Sequence, residues 1–350
     1  MPLPKSSTNI GLDIALGSIL SASIIAISLY AWQREKQDKD DEDDDDENDT
    51  SHYVKLLPDT HKYREHLRVA VTAATIAGRG EYLEHMLSAG TVHAKKDVSI
   101  TNKSNTCDFF TEVDVANERQ IIDVIRTAFP QHAIIGEETS SSQTERSISK
   151  PTWIIDPIDG TTNFVAGNPL TCISIAFAEN DAVVLGVIYA PALNEMYIGV
   201  SSEGGGGAWL NGVPIKELNP APSHGLLDSN ICVEFGYERN SPGIDAMTKV
   251  VNQIMKRGCK SIRMLGSGVL DLVFVALGRL DAVYCGVAGE GWREWDYAAA
   301  SVILKMAGGK IANFKDDAKA DGSFNIFGQT MVCACNEKIL TELKEILLSS

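Results

Sequence analysis

The first feature in the spacing of apolar positions is a run with no polar face. Residues 14–32 are nineteen positions without a charge, mostly Ile, Leu, Ala and Ser, closing on Tyr30 and Trp32. As a helix rising about 1.5 Å per residue they would reach about 30 Å, the thickness of a bilayer core. The pattern predicts a transmembrane anchor over 10–32, after a tail of residues 1–9, with the two aromatics at the interface. A cleavable signal peptide and a buried core helix are the rival readings, the first lacking a clear small-x-small cleavage site. Arg34, Lys36 and Lys39 follow the run, whereas Lys5 and the amino terminus precede it, so the charge rule favours a cytosolic body, with a luminal one as the alternative.

Beyond residue 60 the apolar spacing becomes that of a mixed α/β body, residues 61–350. Leu67, Val71, Ala74 and Leu87 recur at three-and-four spacing, predicting a long helix from about 61 to 88. A second helix is expected over 115–129, stopped by Pro130, then short strands over 133–136 and 152–156. Segments 171–178, 182–190 and 194–200 read as strands, Asn211-Gly212 as a hairpin turn, and Gly204 to Gly207 as a flexible turn. The last third alternates: helices over 245–257, 267–278, 295–307 and 337–348, and strands over 280–284 and 331–334. No internal repeat interrupts this order.

Composition sharpens the picture at three points. Hydrophobic content of 44% with 22% charged residues fits a chain that mostly folds. Of the net charge of -16, residues 38–49 supply -9, so an acidic linker over 33–60 separates the apolar run from a body of milder charge. That balance excludes a nucleic-acid binder, which needs clustered Lys and Arg. The seven cysteines are scattered without a Cys-x-x-Cys pair, so neither a disulfide framework nor a zinc site is expected.

Chemistry concentrates in Trp153-Ile154-Ile155-Asp156-Pro157-Ile158-Asp159-Gly160-Thr161-Thr162-Asn163-Phe164. An apolar strand delivers two carboxylates three positions apart into a Gly-Thr-Thr turn. Oxygen ligands at a strand end suit a hard cation such as Mg²⁺. Amides of Gly160, Thr161 and Thr162, if a helix starts there, suit an anion such as phosphate. Asp-Pro and Asp-Gly alone are ordinary turn formers, but that reading leaves the strand, the second acid and the Thr pair unexplained.

This stretch resembles the signature of the inositol monophosphatase family, metal-dependent and lithium-sensitive phosphatases. Gly136-Glu137-Glu138 upstream and Trp295-Asp296 with Ala298-Ala299 downstream resemble two further elements of that family, and Lys103-Ser104 through Asp108 to Asp114 resembles its mobile loop. The resemblance implies a layered α-β-α-β-α sandwich, a common homodimeric state, and two or three Mg²⁺ held by Glu137, Asp156, the Ile158 carbonyl, Asp159 and Asp296. It implies that Asp114 and Thr161 orient and deprotonate the attacking water. Gly160, Thr161, Thr162, Gly268 and Asp296 would border the phosphorylated polyol. The family's inositol-reading carboxylate is missing at Gly289, so Glu290, in a longer loop, or Cys285, at the strand position, would take its place. Hydrolysis of inositol monophosphate is therefore expected. The alternatives are a sibling phosphatase for 3'-phosphoadenosine nucleotides or sugar phosphates, and a non-catalytic phosphate-binding adaptor on the membrane.

Overall fold

The computed structural model describes residues 50–89, 99–105, 108–140, 147–201, 205–215, 224–289 and 292–349. The predicted anchor over 10–32 and most of the acidic linker fall outside them. Among the described residues no helix is long and apolar enough to cross a membrane.

The helices are α1 (Ser51–Val54), α2 (Arg64–Ala77), α3 (Glu81–Ala89), α4 (Glu112–Ala128), α5 (Thr161–Ala166), α6 (Ser241–Arg257), α7 (Gly268–Ala276), α8 (Glu294–Met306) and α9 (Glu337–Leu348). The strands β1 (Ile100–Asn105) and β2 (Asp108–Thr111) form an antiparallel hairpin. A seven-stranded sheet runs in chain order: β3 (Ala133–Gly136), β4 (Thr152–Asp159), β5 (Cys172–Glu179), β6 (Ala182–Ala190), β7 (Glu195–Val200), β8 (Gly207–Leu210) and β9 (Val213–Pro214). A five-stranded sheet has the order β11-β10-β12-β14-β13, built from β10 (Asn230–Val233), β11 (Ser261–Arg263), β12 (Ala282–Cys285), β13 (Lys310–Ala312) and β14 (Met331–Ala334).

The layers follow from what each face buries. Leu67, Val71 and Ala74 of α2, with Ile121 and Ile125 of α4, close one face of the large sheet through Trp153, Ile155 and Phe177. On its opposite face Ile154, Ala176 and Ile188 meet α7 and α8, whose other sides reach Val283 and Cys333 of the small sheet. Val250 and Ile254 of α6 and Leu343 of α9 cover the outer face of that sheet. The result is the α-β-α-β-α sandwich. Strand β4 is buried along its whole length because both faces of its sheet are covered, hence its continuous rather than alternating apolar pattern.

Several expected limits change. The helix expected over 61–88 is two, α2 and α3, because Gly78 caps the first and Gly80 takes a left-handed φ of 59° between them. The helix expected from 115 starts at Glu112, where Thr111 accepts from Val113 N and Asp114 N and the Asp114 carboxylate accepts from Thr111 N. The strand expected over 152–156 continues to Asp159. The compact unit begins at Thr50, and Leu57 is buried with the first core.

Candidate active site

In a regular strand, residues three apart point to opposite faces, so Asp156 and Asp159 would diverge. Pairing of β4 with β5 shows why they do not: Asp156 faces Ser174 and Asp159 faces Cys172, leaving two residues of β4 opposite one of β5. This bulge contains Pro157, which has no N–H for the ladder, and it turns the second acid back to the side of the first. Carboxylate oxygens of Asp156, Asp159 and Asp296 lie within 4.8 Å of one another. Asp296 arrives from the first turn of α8, where a carboxylate is favoured, and its Oδ2 accepts from Arg293 N at 2.5 Å.

Each acid is held from behind. Asp156 Oδ1 accepts from Ile158 N at 3.0 Å. Asp159 Oδ2 accepts from Val269 N at 3.1 Å and from the Ser267 hydroxyl, so this strand acid caps α7 while the N-cap Ser267 side chain does not. Glu234 supports the loop before α7, accepting from Leu265 N at 2.7 Å and Gly266 N at 2.8 Å. Asn163 Nδ2 donates to Leu265 O at 2.7 Å and ties α5 to the same loop. Gly160 precedes α5 with φ 83°, and a Cβ there would stand 3.0 Å from the carbonyl oxygens of both Gly266 and Leu170.

Beside the acids, Thr161 Oγ1 lies 3.4 Å from Asp114 Oδ1 and 3.2 Å from Ile158 O. Asp114 is fully buried, its Oδ2 accepting from Thr111 N at 2.8 Å and Thr111 Oγ1 at 2.5 Å. Glu137 follows β3 and continues its parallel ladder, donating from its N to Ile155 O at 3.1 Å. Lys103 Nζ is 2.8 Å from Glu137 Oε1 and 2.7 Å from Glu138 Oε1.

The electrostatics are those of crowded anions. Burial raises Asp156 well above the usual carboxylate range, and the charges of Glu137, Asp159 and Asp296 add to it. Burial, followed by the charges of Asp159 and Glu137, does the same to Asp296. Asp159 is pushed up to about 7, again mainly by burial, against the hydrogen bonds from Ser267 and Val269. Two buried acids and one partly buried acid that repel one another, with no basic side chain among them, fit a divalent hard cation, which removes the repulsion that raises them. Burial also pushes Asp114 up to about 6, less than it would without the Thr111 hydrogen bonds.

Of the residues singled out in the sequence, Asp156, Asp159 and Asp296 converge, Thr161 meets Asp114 and Ile158 O, and Glu137 borders Asp156. Thr162 is exposed on the first turn of α5. Gly268 is not open to a ligand: it is buried, and a Cβ on it would come within 2.7 Å of the Trp292 ring. Cys285 is buried in β12 with its Sγ 3.5 Å from the Tyr297 hydroxyl, so it does not present itself in place of a carboxylate. Glu290 lies outside the described residues. Sequence reasoning missed Ser267, Thr111 and Glu234 as supports. Only Thr111 carried a local signal, a Thr followed three residues later by an acid.

Comparison with known proteins points to one family. Residues 62–348 match the model of the inositol monophosphatase family. Inositol monophosphatase 1 of Solanum lycopersicum is 38% identical over 248 residues, covering 71% of this chain and 84% of its own. Inositol monophosphatase 1 of Sus scrofa is 32% identical over 292 residues, covering 82% and 96%. The structure of the Thermotoga maritima IMPase superposes with a TM-score of 0.64 at 30% identity over 81% of this chain and 97% of that one.

Proposed function

The chain belongs to the inositol monophosphatase family, and on that basis we propose that it hydrolyses inositol monophosphate to inositol and phosphate at the Asp156–Asp159–Asp296 cluster. It is a phosphoric monoester hydrolase. The observation that carries the site is the bulge in β4, which brings carboxylates from positions three apart into one set with Asp296.

Glu137, Asp156, the Ile158 carbonyl, Asp159 and Asp296 are the proposed ligands of two or three Mg²⁺, which supply charge neutralisation for the phosphate and a lowered pKa for water. Asp114 is mostly ionised at neutral pH, so its Oδ1 accepts the Thr161 proton. The Thr161 oxygen then offers a lone pair to the attacking water and relays its proton towards Asp114, the role of a general base. The N–H groups of Thr161 and Thr162, in the first turn of α5, have no acceptor within the helix and favour the phosphate oxygens. Ser267 and Val269 hold Asp159 in place through turnover.

Phosphate release from inositol 1-phosphate in Mg²⁺ tests the reading, with Asp159→Asn expected to lose at least about a hundredfold. Equal rates for the two proteins refute it. Faster release from sugar phosphates or adenosine 3',5'-bisphosphate overturns the substrate alone.

The apolar run of residues 14–32 is proposed as a membrane anchor with the enzyme body on the cytosolic side, because nineteen uncharged positions span a bilayer. Protease digestion of the body in sealed vesicles supports this arrangement; protection opposes it. A homodimer is the proposed assembly, and a monomer mass in solution rules it out.

A further inference from the structure

Away from the active site, three side chains with different donor atoms meet at the start of β12, opposite to the end that leads into the Asp296 loop. His224 precedes the one-turn helix Leu226–Asp228, Asp281 precedes β12, and Cys335 follows β14. An imidazole nitrogen, a carboxylate oxygen and a sulfur lie within 4.8 Å of one another, all on partly exposed residues. His224 Nε2 is 3.2 Å and Cys335 Sγ 3.7 Å from the same atom, Asp281 Oδ1. Around a tetrahedral zinc ion with bonds of about 2.0–2.3 Å, an N–O edge measures about 3.3 Å and an S–O edge about 3.5 Å. Both separations match one shared ion to about 0.2 Å.

The donors are also supported as ligands are. Asp281 Oδ2 accepts from Asn230 N at 2.7 Å, and Cys335 N donates to Asp281 O at 2.8 Å, so two donors are fixed to neighbouring strands. Asn336 Nδ2 donates to Cys335 Sγ at 3.6 Å while its Oδ1 caps α9 through Ile339 N at 2.9 Å. Burial and the adjacent Asp281 carboxylate push the Cys335 thiol up to about 11 despite the Asn336 amide, so the metal-free site holds a thiol whose proton a bound cation displaces. Partial exposure leaves a direction open for water as fourth ligand. A set of nitrogen, oxygen and sulfur selects borderline-soft ions, whereas the all-oxygen cluster of the active site selects hard ones.

We propose that His224, Asp281 and Cys335 form a second metal site, of the zinc class, that clamps the turn before β12 to the end of β14. On binding, the Sγ proton passes to solvent and the thiolate takes its place on the ion.

The test uses the full chain, stripped with a chelator and titrated with Co²⁺. One equivalent should produce a sulfur-to-cobalt charge-transfer band that Zn²⁺ abolishes. Cys335→Ser should lose the band. His224→Ala, a change on a partly exposed turn, should weaken binding at least about tenfold. Circular dichroism confirms that each variant is folded. Asp159→Asn should keep the band while losing phosphatase activity, which separates this site from the catalytic one. A band that persists in Cys335→Ser, for instance from Cys172 beside Asp159, or no band in the folded wild type, overturns the proposal.

Discussion

Stripping the active-site cation should make stability depend on pH in a direction the crowded carboxylates dictate. Asp159 holds its proton up to about pH 7 in the fold, whereas an unfolded chain releases it near pH 4. Between those values the metal-free fold binds more protons than the unfolded chain, so its stability falls as pH rises through that window and is greatest below it. At about 1.4 kcal/mol per pH unit, Asp159 alone accounts for a decline of up to about 4 kcal/mol, an upper bound because water entering the site relieves part of the burial. Asp156 and Asp296 are raised in the same sense, so the decline extends above neutrality. A bound Mg²⁺ replaces the proton, and the loaded protein escapes the loss. Thermal melts from pH 4 to 8, with EDTA or with saturating Mg²⁺, should therefore diverge as pH rises, by up to roughly 8–16 °C at about 2–4 °C per kcal/mol. Groups that do not face the ion cancel between the two series. Asp159→Asn should narrow the divergence. Parallel curves in EDTA and Mg²⁺ would falsify the claim that these acids hold metal.

Other perturbations separate the remaining parts of the site. Asp114→Asn should lower kcat about 10²- to 10⁴-fold with little change in KM, and should abolish the wild-type fall in kcat/KM below about pH 6, read from pH–rate profiles. Gly160→Ala should cost about 1–2 kcal/mol for its left-handed backbone, and more for the Cβ that would crowd the Gly266 and Leu170 carbonyls at 3.0 Å. Gly212→Ala, at φ 78° with nothing within 4 Å, should show the backbone cost alone in the same denaturation assay. Asp271 is fully buried in α7, neither oxygen has a well-aligned donor, and burial holds its proton well above the usual range. Asp271→Asn should therefore stabilise by about 1–3 kcal/mol at pH 8 and by less at pH 5, where the acid already keeps its proton. Urea melts at the two values measure the difference.

Elements long enough to show a period were legible in the sequence. The helix over 337–348 is found at those limits because its apolar face lies within its own residues, and the short strand over 331–334 because it is an unbroken apolar run. Strands β10, β11 and β13 are three or four residues long and went unread. Their stability comes from neighbours remote in the chain, such as Ser229 and Asn230 against Lys260 and Ser261, so no local pattern announces them. The acids of the site were legible as candidates, but their supports were not. Ser267 and Glu234 act through contacts more than thirty residues distant, and nothing near either one marks it.

The spacing of Asp156 and Asp159 shows most clearly why sequence and geometry part company. On a regular strand the separation of three argues against a shared ligand, since it places one acid on each face. A Pro inside the interval argues equally against a central strand. The two objections answer each other. Pro157, which has no N–H for any ladder, lies where two residues of β4 face one of β5, and the extra residue turns Asp159 to the side of Asp156. The same step leaves Gly160 in a left-handed turn and starts α5 with Thr161 facing Asp114. One local irregularity thus sets both the proposed cation cluster and the proposed proton acceptor beside it, so any change that restores a regular ladder between β4 and β5 should remove both proposed functions together.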